Sequence, residues 1–169
     1  MPREKLWQCL REYGVDEELL RAVQSLYDRC TARVRVNGLQ SSPFTVRTGL
    51  RQGCALSPVL FLVFMDRIVM RCQRGEGFQL GAFNASRLLF VDDLALLAAS
   101  QGELQRALDQ LSAECEVDDM RVSPTKTVVM VVSREETDCI VHLNGTQLKQ
   151  VTEFAYLGVL FTSDGRQDK

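Results

Sequence analysis

Apolar positions near the start of the chain recur at helical spacing. Leu6, Cys9 and Leu10 fall on one side of a segment that Pro2 opens and Gly14 closes, which predicts a helix of about ten residues. Asp16 can cap a second helix whose apolar stripe is Leu19, Leu20, Val23, Leu26 and Tyr27. The period then changes to two. Ala32-Arg33-Val34-Arg35-Val36 alternates, predicting a strand with its arginines on one face, Asn37-Gly38 a turn, and Phe44-Thr45-Val46 the return strand. A glycine-bounded loop, Gly49 to Gly53, leads to Ser57 and Pro58, which predict the cap and first residue of a helix reaching Cys72. The first half of that helix is apolar nearly all round, so burial is expected there.

Gly75-Glu76-Gly77 predicts a break. Leu88-Leu89-Phe90-Val91 then reads as a buried strand, and Leu94 to Ala98 is a second apolar run, with only Asp92-Asp93 between them. A helix is predicted from Gly102 to Glu116, with Leu104, Ala107, Leu108 and Leu111 at helical spacing. Val128 to Val132 predicts a strand. Ile140 to Leu143, the turn Asn144-Gly145 and Val151 to Tyr156 predict a hairpin, and Leu157 to Phe161 an extension of the sheet. Helices interleaved with antiparallel strands predict an α+β fold: an antiparallel sheet with helices packed on one face, in one domain over residues 1–169.

Composition narrows the function classes. Hydrophobic residues make up 46% and charged residues 25%, enough to bury a core. Pro2, Arg3, Glu4 and Lys5 follow Met1 with no apolar stretch, and the longest apolar run, Val59 to Met65, is far short of the roughly 20 residues a spanning helix needs. An intracellular protein, nuclear or cytoplasmic, with no membrane partner is expected. The six cysteines form no CxxC pair, and His142 is the only histidine, so a zinc site or a Ser-His-Asp or Cys-His mechanism is disfavoured. Residues 1–91 carry 13 Lys+Arg against 8 Asp+Glu, and residues 92–169 carry 7 against 14. A basic half beside an acidic half suits a polyanion held next to metal-collecting carboxylates, or reflects an uneven scatter of surface charge.

Asp92-Asp93 carries the candidate chemistry. Charged carboxylates avoid burial, and a tight turn between two core-locked strands presents both of them to solvent. Such a pair suits Mg2+ or Mn2+, hard cations that take carboxylate oxygens together with substrate phosphates. Two such ions can clamp the attacking and leaving oxygens of phosphoryl transfer. Asp-Asp also serves as simple turn chemistry. A phosphoacceptor receiver domain uses an Asp pair at a strand end too, but places it early and follows it with a helix, whereas a second apolar run follows here.

The order of motifs adds a resemblance. Gly49-Leu50-Arg51-Gln52-Gly53-Cys54-Ala55-Leu56-Ser57-Pro58 precedes Phe90-Val91-Asp92-Asp93. Met120-Arg121-Val122, Lys126-Thr127 and Phe154-Ala155-Tyr156-Leu157-Gly158 follow. This series resembles the reverse transcriptase of non-long-terminal-repeat (LINE-type) retrotransposons, over Pro2 to Gly165. The resemblance implies a polymerase palm that performs two-metal, RNA-directed DNA synthesis on an RNA template and a DNA primer. It implies metal binding by Asp92 and Asp93 and nucleotide and template contacts by Arg51, Gln52 and Gly53. It also implies a Lys126 that acts on the leaving pyrophosphate, and a primer grip at Tyr156, Leu157 and Gly158.

The departures from the family pattern bear on activity. A further catalytic Asp of the family falls before the position of Pro2, and the fingers and thumb are not represented. Val91 stands where Ala is usual, Ala55 where Pro is usual, and Asp119 where Gly is usual. The expectation is a polymerase by ancestry that is incomplete and inactive alone, with weak metal binding, unless a partner chain supplies what is missing. The alternatives are a non-catalytic module binding nucleic acid or protein, for which Arg33, Arg35, Arg47 and Arg51 are candidates, and a remnant with no separate function.

Overall fold

The computed structural model describes residues 1–72, 78–80, 83–133 and 137–165. Among the described residues four helices form: α1 (Arg3–Glu12), α2 (Glu17–Tyr27), α3 (Ser57–Arg71) and α4 (Gln101–Val117). Between α2 and α3 lie four two-residue strands, β1 (Thr31–Ala32), β2 (Arg35–Val36), β3 (Leu39–Gln40) and β4 (Phe44–Thr45). Strands β5 (Phe78–Leu80), β6 (Phe83–Ala85), β7 (Arg87–Phe90) and β8 (Asp93–Leu96) separate α3 from α4. After α4 come β9 (Val128–Val129), β10 (His142–Leu143), β11 (Thr146–Gln147), β12 (Lys149–Gln150), β13 (Glu153–Tyr156) and β14 (Val159–Thr162). The fold is mixed α and β. The strands pair two by two, antiparallel except for the parallel β9–β12 pair, and the described residues hold no larger continuous sheet.

The chain divides into two compact units. The first comprises Met1–Arg71, Leu89–Asp93 and Val117–Met120, and the second Cys72–Leu88, Leu94–Glu116 and Arg121–Lys169. In the first, α1 packs on α2 and α3. Leu6, Cys9 and Leu10 are buried, as the spacing predicts, against Leu20, Val23 and Tyr27 of α2 and Leu60, Phe64 and Ile68 of α3. Each large apolar side chain removed from water there contributes roughly 1.5–3 kcal/mol. Asp16 caps α2, its carboxylate accepting from the Glu18 N–H at 2.7 Å. Leu19 and Leu26, assigned to the apolar stripe of α2, are exposed.

The first unit corrects several expectations. One face of α3 is buried rather than its whole first half, for Val59 and Leu62 are exposed. The alternating segment Ala32 to Val36 is divided between β1 and β2. Asn37-Gly38 does turn the chain, with both residues at positive φ, but the return arm of β2 is β3, and β4 pairs instead with β1. Two-residue loops of this conformation match the right-handed twist of their flanking strands, so the shortest hairpin closes first.

In the second unit, Leu108 of α4 packs with Val129, Val141, Leu143 and Leu148, and Leu96, Leu104, Val122 and Cys139 close the cluster. The predicted strand over Val128 to Val132 is β9 alone. Asn144-Gly145 joins β10 to β11, not to Val151–Tyr156, which lies mostly in β13 and pairs with β14. The predicted break at Gly75-Glu76-Gly77 lies outside the described residues. No described helix is long and apolar enough to cross a membrane.

Candidate functional site

Strands β7 and β8 form a two-stranded hairpin whose loop is Val91-Asp92. The Leu97 N–H donates to the Ser86 carbonyl at 2.9 Å and continues the pairing past the strand end. Strand β7 is not buried as expected: Leu88 and Phe90 are exposed. Half-buried and exposed residues alternate as in a strand with one face against protein, and the loop begins at Val91, one residue earlier than the sequence suggests. Val91 has φ 55°, while Asp92 keeps negative φ. Positive φ at the first loop position is what a II′ hairpin turn demands, and glycine is the usual occupant. A β-branched residue there carries strain of order 1–3 kcal/mol, which the flanking strands must hold. The strain is located where the turn displays its carboxylates.

Asp92 and Asp93 are both exposed, and neither carboxylate has a hydrogen-bond or ion-pair partner among the described residues. Two adjacent, unpaired hard-oxygen donors at a fixed turn fit a cation such as Mg2+, which keeps several waters and needs only one or two protein carboxylates beside substrate phosphates. The described residues hold no cluster of three or more His, Cys, Asp or Glu side chains that would enclose an ion. The turn therefore displays its carboxylates openly and does not enclose an ion.

The Gly49–Gly53 loop is the second candidate segment, and arginines fasten it. The Arg3 guanidinium donates through Nε to the Gly49 carbonyl at 3.1 Å and through Nη1 to the Tyr27 carbonyl at 3.1 Å. Arg51 donates to the Leu26 carbonyl at 3.0 Å. Leu26 and Tyr27 end α2, whose last turn has no basic residue of its own. Two cations brought from elsewhere satisfy carbonyls at its negative end. The Gly49 N–H donates to the Met1 carbonyl at 3.0 Å. The Ser57 hydroxyl donates to the Arg51 carbonyl at 2.8 Å, so this side chain binds the loop. Gly49 and Gly53 take φ of 76° and 80°, which a side chain would resist. Gln52 and Gly53 are exposed at the loop end.

Cys54 follows the loop. Its thiol is held below the ordinary range by the Leu56 N–H, against the opposing effect of burial, with smaller contributions from Ser57 and from the Arg51 charge.

Lys126 and Tyr156-Leu157-Gly158 belong to the second unit, whereas the Asp92-Asp93 turn and the Gly49–Gly53 loop belong to the first. Lys126 ends a turn stapled by the Thr127 hydroxyl to the Ser123 carbonyl at 2.8 Å, just before β9, and its side chain is exposed. Leu157 and Gly158 form the two-residue loop of the β13–β14 hairpin, at φ 51° and 82°, with Tyr156 paired to Val159.

One functional-looking group was missed from the sequence. Asp118, which precedes Asp119 in a turn, is 2% exposed and lies between Arg67 and Arg71. The arginines stand 51 and 47 residues away in sequence, beyond the reach of local spacing.

Along the chain the structure thus carries, in order, an arginine-fastened glycine loop, an exposed aspartate pair on a two-residue hairpin, a lysine turn and a second tight hairpin. Residues 1–161 match the family described as "Reverse transcriptase (RNA-dependent DNA polymerase)". The chain belongs to that family. It is 30% identical over 168 residues to the retrovirus-related Pol polyprotein from type-1 retrotransposable element R2 of Nasonia vitripennis, a match covering 93% of this chain. It is 28% identical to the polyprotein from type-2 retrotransposable element R2DM of Drosophila melanogaster, over 95% of the chain. The RNA-directed DNA polymerase from mobile element jockey, also of Drosophila melanogaster, is 27% identical over 84% of the chain. These are non-LTR elements, as the motif order implies, and the chain spans 16% of the length of each of the three.

Proposed function

We propose that this chain supplies the palm of an RNA-directed DNA polymerase and presents Asp92 and Asp93 to divalent metal. The observation that supports this most directly is the pair of exposed, unpartnered carboxylates at the tip of the β7–β8 hairpin. Bound Mg2+ or Mn2+ would stabilise negative charge developing on the transferring phosphoryl group. The chain's own residues do the rest. Asp92 and Asp93 would hold the ion through their oxygens, and Arg51, Gln52 and Gly53 would contact the incoming nucleotide and the template. Lys126 neutralises or protonates the leaving pyrophosphate, and Tyr156, Leu157 and Gly158 seat the primer end.

Two-metal transfer uses carboxylates from more than one strand, and the described residues provide one turn's worth. On this reading a further carboxylate, from a longer chain or a partner, would complete the site. The isolated chain then binds Mn2+ weakly and extends no primer. Titration of Mn2+ followed by electron paramagnetic resonance should detect binding that Asp92→Asn removes. Equal binding by wild type and Asp92→Asn overturns the metal assignment. Robust Mg2+-dependent primer extension by the isolated chain, abolished by Asp92→Ala, overturns its incompleteness.

A further inference from the structure

The first unit contains a cavity of 560 Å³ that shares no residue with the Asp92-Asp93 turn or the Gly49–Gly53 loop. Its charged lining is Arg3, Arg21, Arg29 and Arg47 against Glu4 and Asp28. Arg3 is committed to the fold: besides its two carbonyl bonds, its guanidinium lies 5.0 Å over the Tyr27 ring. The other three differ. The guanidiniums of Arg21, Arg29 and Arg47 have no hydrogen-bond or ion-pair partner among the described residues, although Glu4 and Asp28 line the same cavity. Three arginines line it, from the middle of α2, from the residue just past its C-cap and from the segment after β4, and no described side chain pairs with them. Arg29 also holds φ 51°, an uncommon conformation for a side chain of its size.

We infer that this cavity is a second nucleic-acid site, taking the phosphodiester backbone of single-stranded RNA through Arg21, Arg29 and Arg47. Guanidinium forks match phosphate oxygens in geometry and charge. Glu4 and Asp28 supply acceptors that suit the ribose 2′-hydroxyl, a donor that an acidic peptide's carboxylates lack. The aromatic floor cannot stack bases: Trp7 is 5% and Tyr27 3% exposed, and they pack edge to face against each other at 5.7 Å. Recognition is therefore of the backbone and independent of sequence.

The test is fluorescence anisotropy of a labelled single-stranded oligoribonucleotide with the whole chain, in EDTA so that the carboxylate turn plays no part. Each neutralised phosphate of a single strand contributes about −0.7 to the salt slope, so three arginines contribute about −2. Raising salt from about 50 to 200 mM should weaken wild-type binding roughly 20-fold through these contacts. The variant R21Q/R29Q/R47Q should bind more weakly and lose that slope, and R21K/R29K/R47K should restore the slope. Both variants should keep the wild-type thermal unfolding curve, since the three side chains are exposed and unpaired. Polyphosphate should displace the RNA where poly-glutamate of equal charge does not. The inference fails if wild type shows no binding at low salt, or if the glutamine variant keeps wild-type affinity and slope. It fails equally if the lysine variant does not recover the slope, or if poly-glutamate competes as well as polyphosphate. Because no metal is present, none of these outcomes bears on the carboxylate turn.

Discussion

The first unit contains two adjacent aspartate pairs, Asp92-Asp93 and Asp118-Asp119, and they have been put to opposite uses. Asp118 is buried and bridges Arg67 at 3.4 Å and Arg71 at 3.1 Å. Arg67, itself 5% exposed, also pairs with Glu12 of α1, at 2.6 and 3.0 Å. Asp119 reaches Lys5 at 2.9 Å, and Lys5 donates to the Val117 carbonyl as well. One acidic pair thus ties α1, α3 and the end of α4 together. The other touches no cation of its own. Both lie beside a residue at positive φ, Val91 at 55° and Asp119 itself at 53°, so turn geometry does not separate them. What separates them is the presence of arginine. A carboxylate that already has its counter-ion supports the fold, whereas one left without is available to a ligand.

Removing one carboxylate from each pair should break the comparison most visibly. Asp118→Ala leaves the buried Arg67 with Glu12 alone and takes the carboxylate from Arg71, and breaking a buried ion network from one side destabilises by up to about 3–5 kcal/mol. Asp92→Ala should stay within about 0.5 kcal/mol, as exposed substitutions do. Chemical denaturation measures both. Similar losses for the two variants would mean that the Asp92 carboxylate also serves the fold, and would count against the proposed metal role.

This contrast also sets what sequence could disclose. α1 and α2 were legible because apolar spacing, Pro2, Gly14 and Asp16 all act within one or two turns of chain. The glycine loop and the Asp92-Asp93 turn were legible because motif order constrains them jointly. Asp118 was not, for its meaning depends on Arg67 and Arg71, and nothing local marks them as its partners. The strand partners were lost for a related reason. β1 could pair with several exposed, weakly patterned segments, and only three-dimensional packing chooses β4.

A smaller effect sharpens the turn itself. Val91→Gly should raise stability by about 1 kcal/mol, since glycine takes positive φ freely and valine does not. The net gain is less than the full strain because glycine loses more chain entropy on folding. A loss of stability instead would show that packing of the half-buried Val91 side chain outweighs its strained backbone.

The ion network should also appear as an acid sensitivity. The Arg67 hydrogen bond, opposed by partial burial, holds the Glu12 carboxyl below its usual value of 4.5. A carboxyl lowered in the folded state stabilises above its unfolded value and loses that contribution as pH falls through its folded value. Stability should therefore decline below about pH 4.5, and Glu12→Gln should be less stable at neutral pH but decline less steeply in acid. Parallel acid titrations of wild type and variant would show it. Curves of identical shape would mean that Glu12 is not the group responsible. With its side chain 42% exposed, water screens the pair and the effect is modest.

The smallest expected effect is chemical, and it extends the same contrast from carboxylates to thiols. Cys9 is fully buried on α1, and burial pushes its thiol up to about 11, the nearby Arg67 charge opposing only in part. Cys54, beside the glycine loop, is held below the ordinary range by the Leu56 N–H. The thiolate is the reactive form, so at pH 8 an alkylating reagent should modify Cys54 early and Cys9 only when the first unit opens. Peptide mapping by mass spectrometry after short exposures gives the order directly. Early modification of Cys9 would mean that α1 leaves α3 readily, since its thiol donates to the Val63 carbonyl at 3.6 Å and is covered in the closed unit. In Asp118→Ala that opening should become more frequent and Cys9 should react sooner. In Asp92→Ala its rate should not change, because the turn that displays Asp92 contributes nothing to the network holding α1 and α3 together.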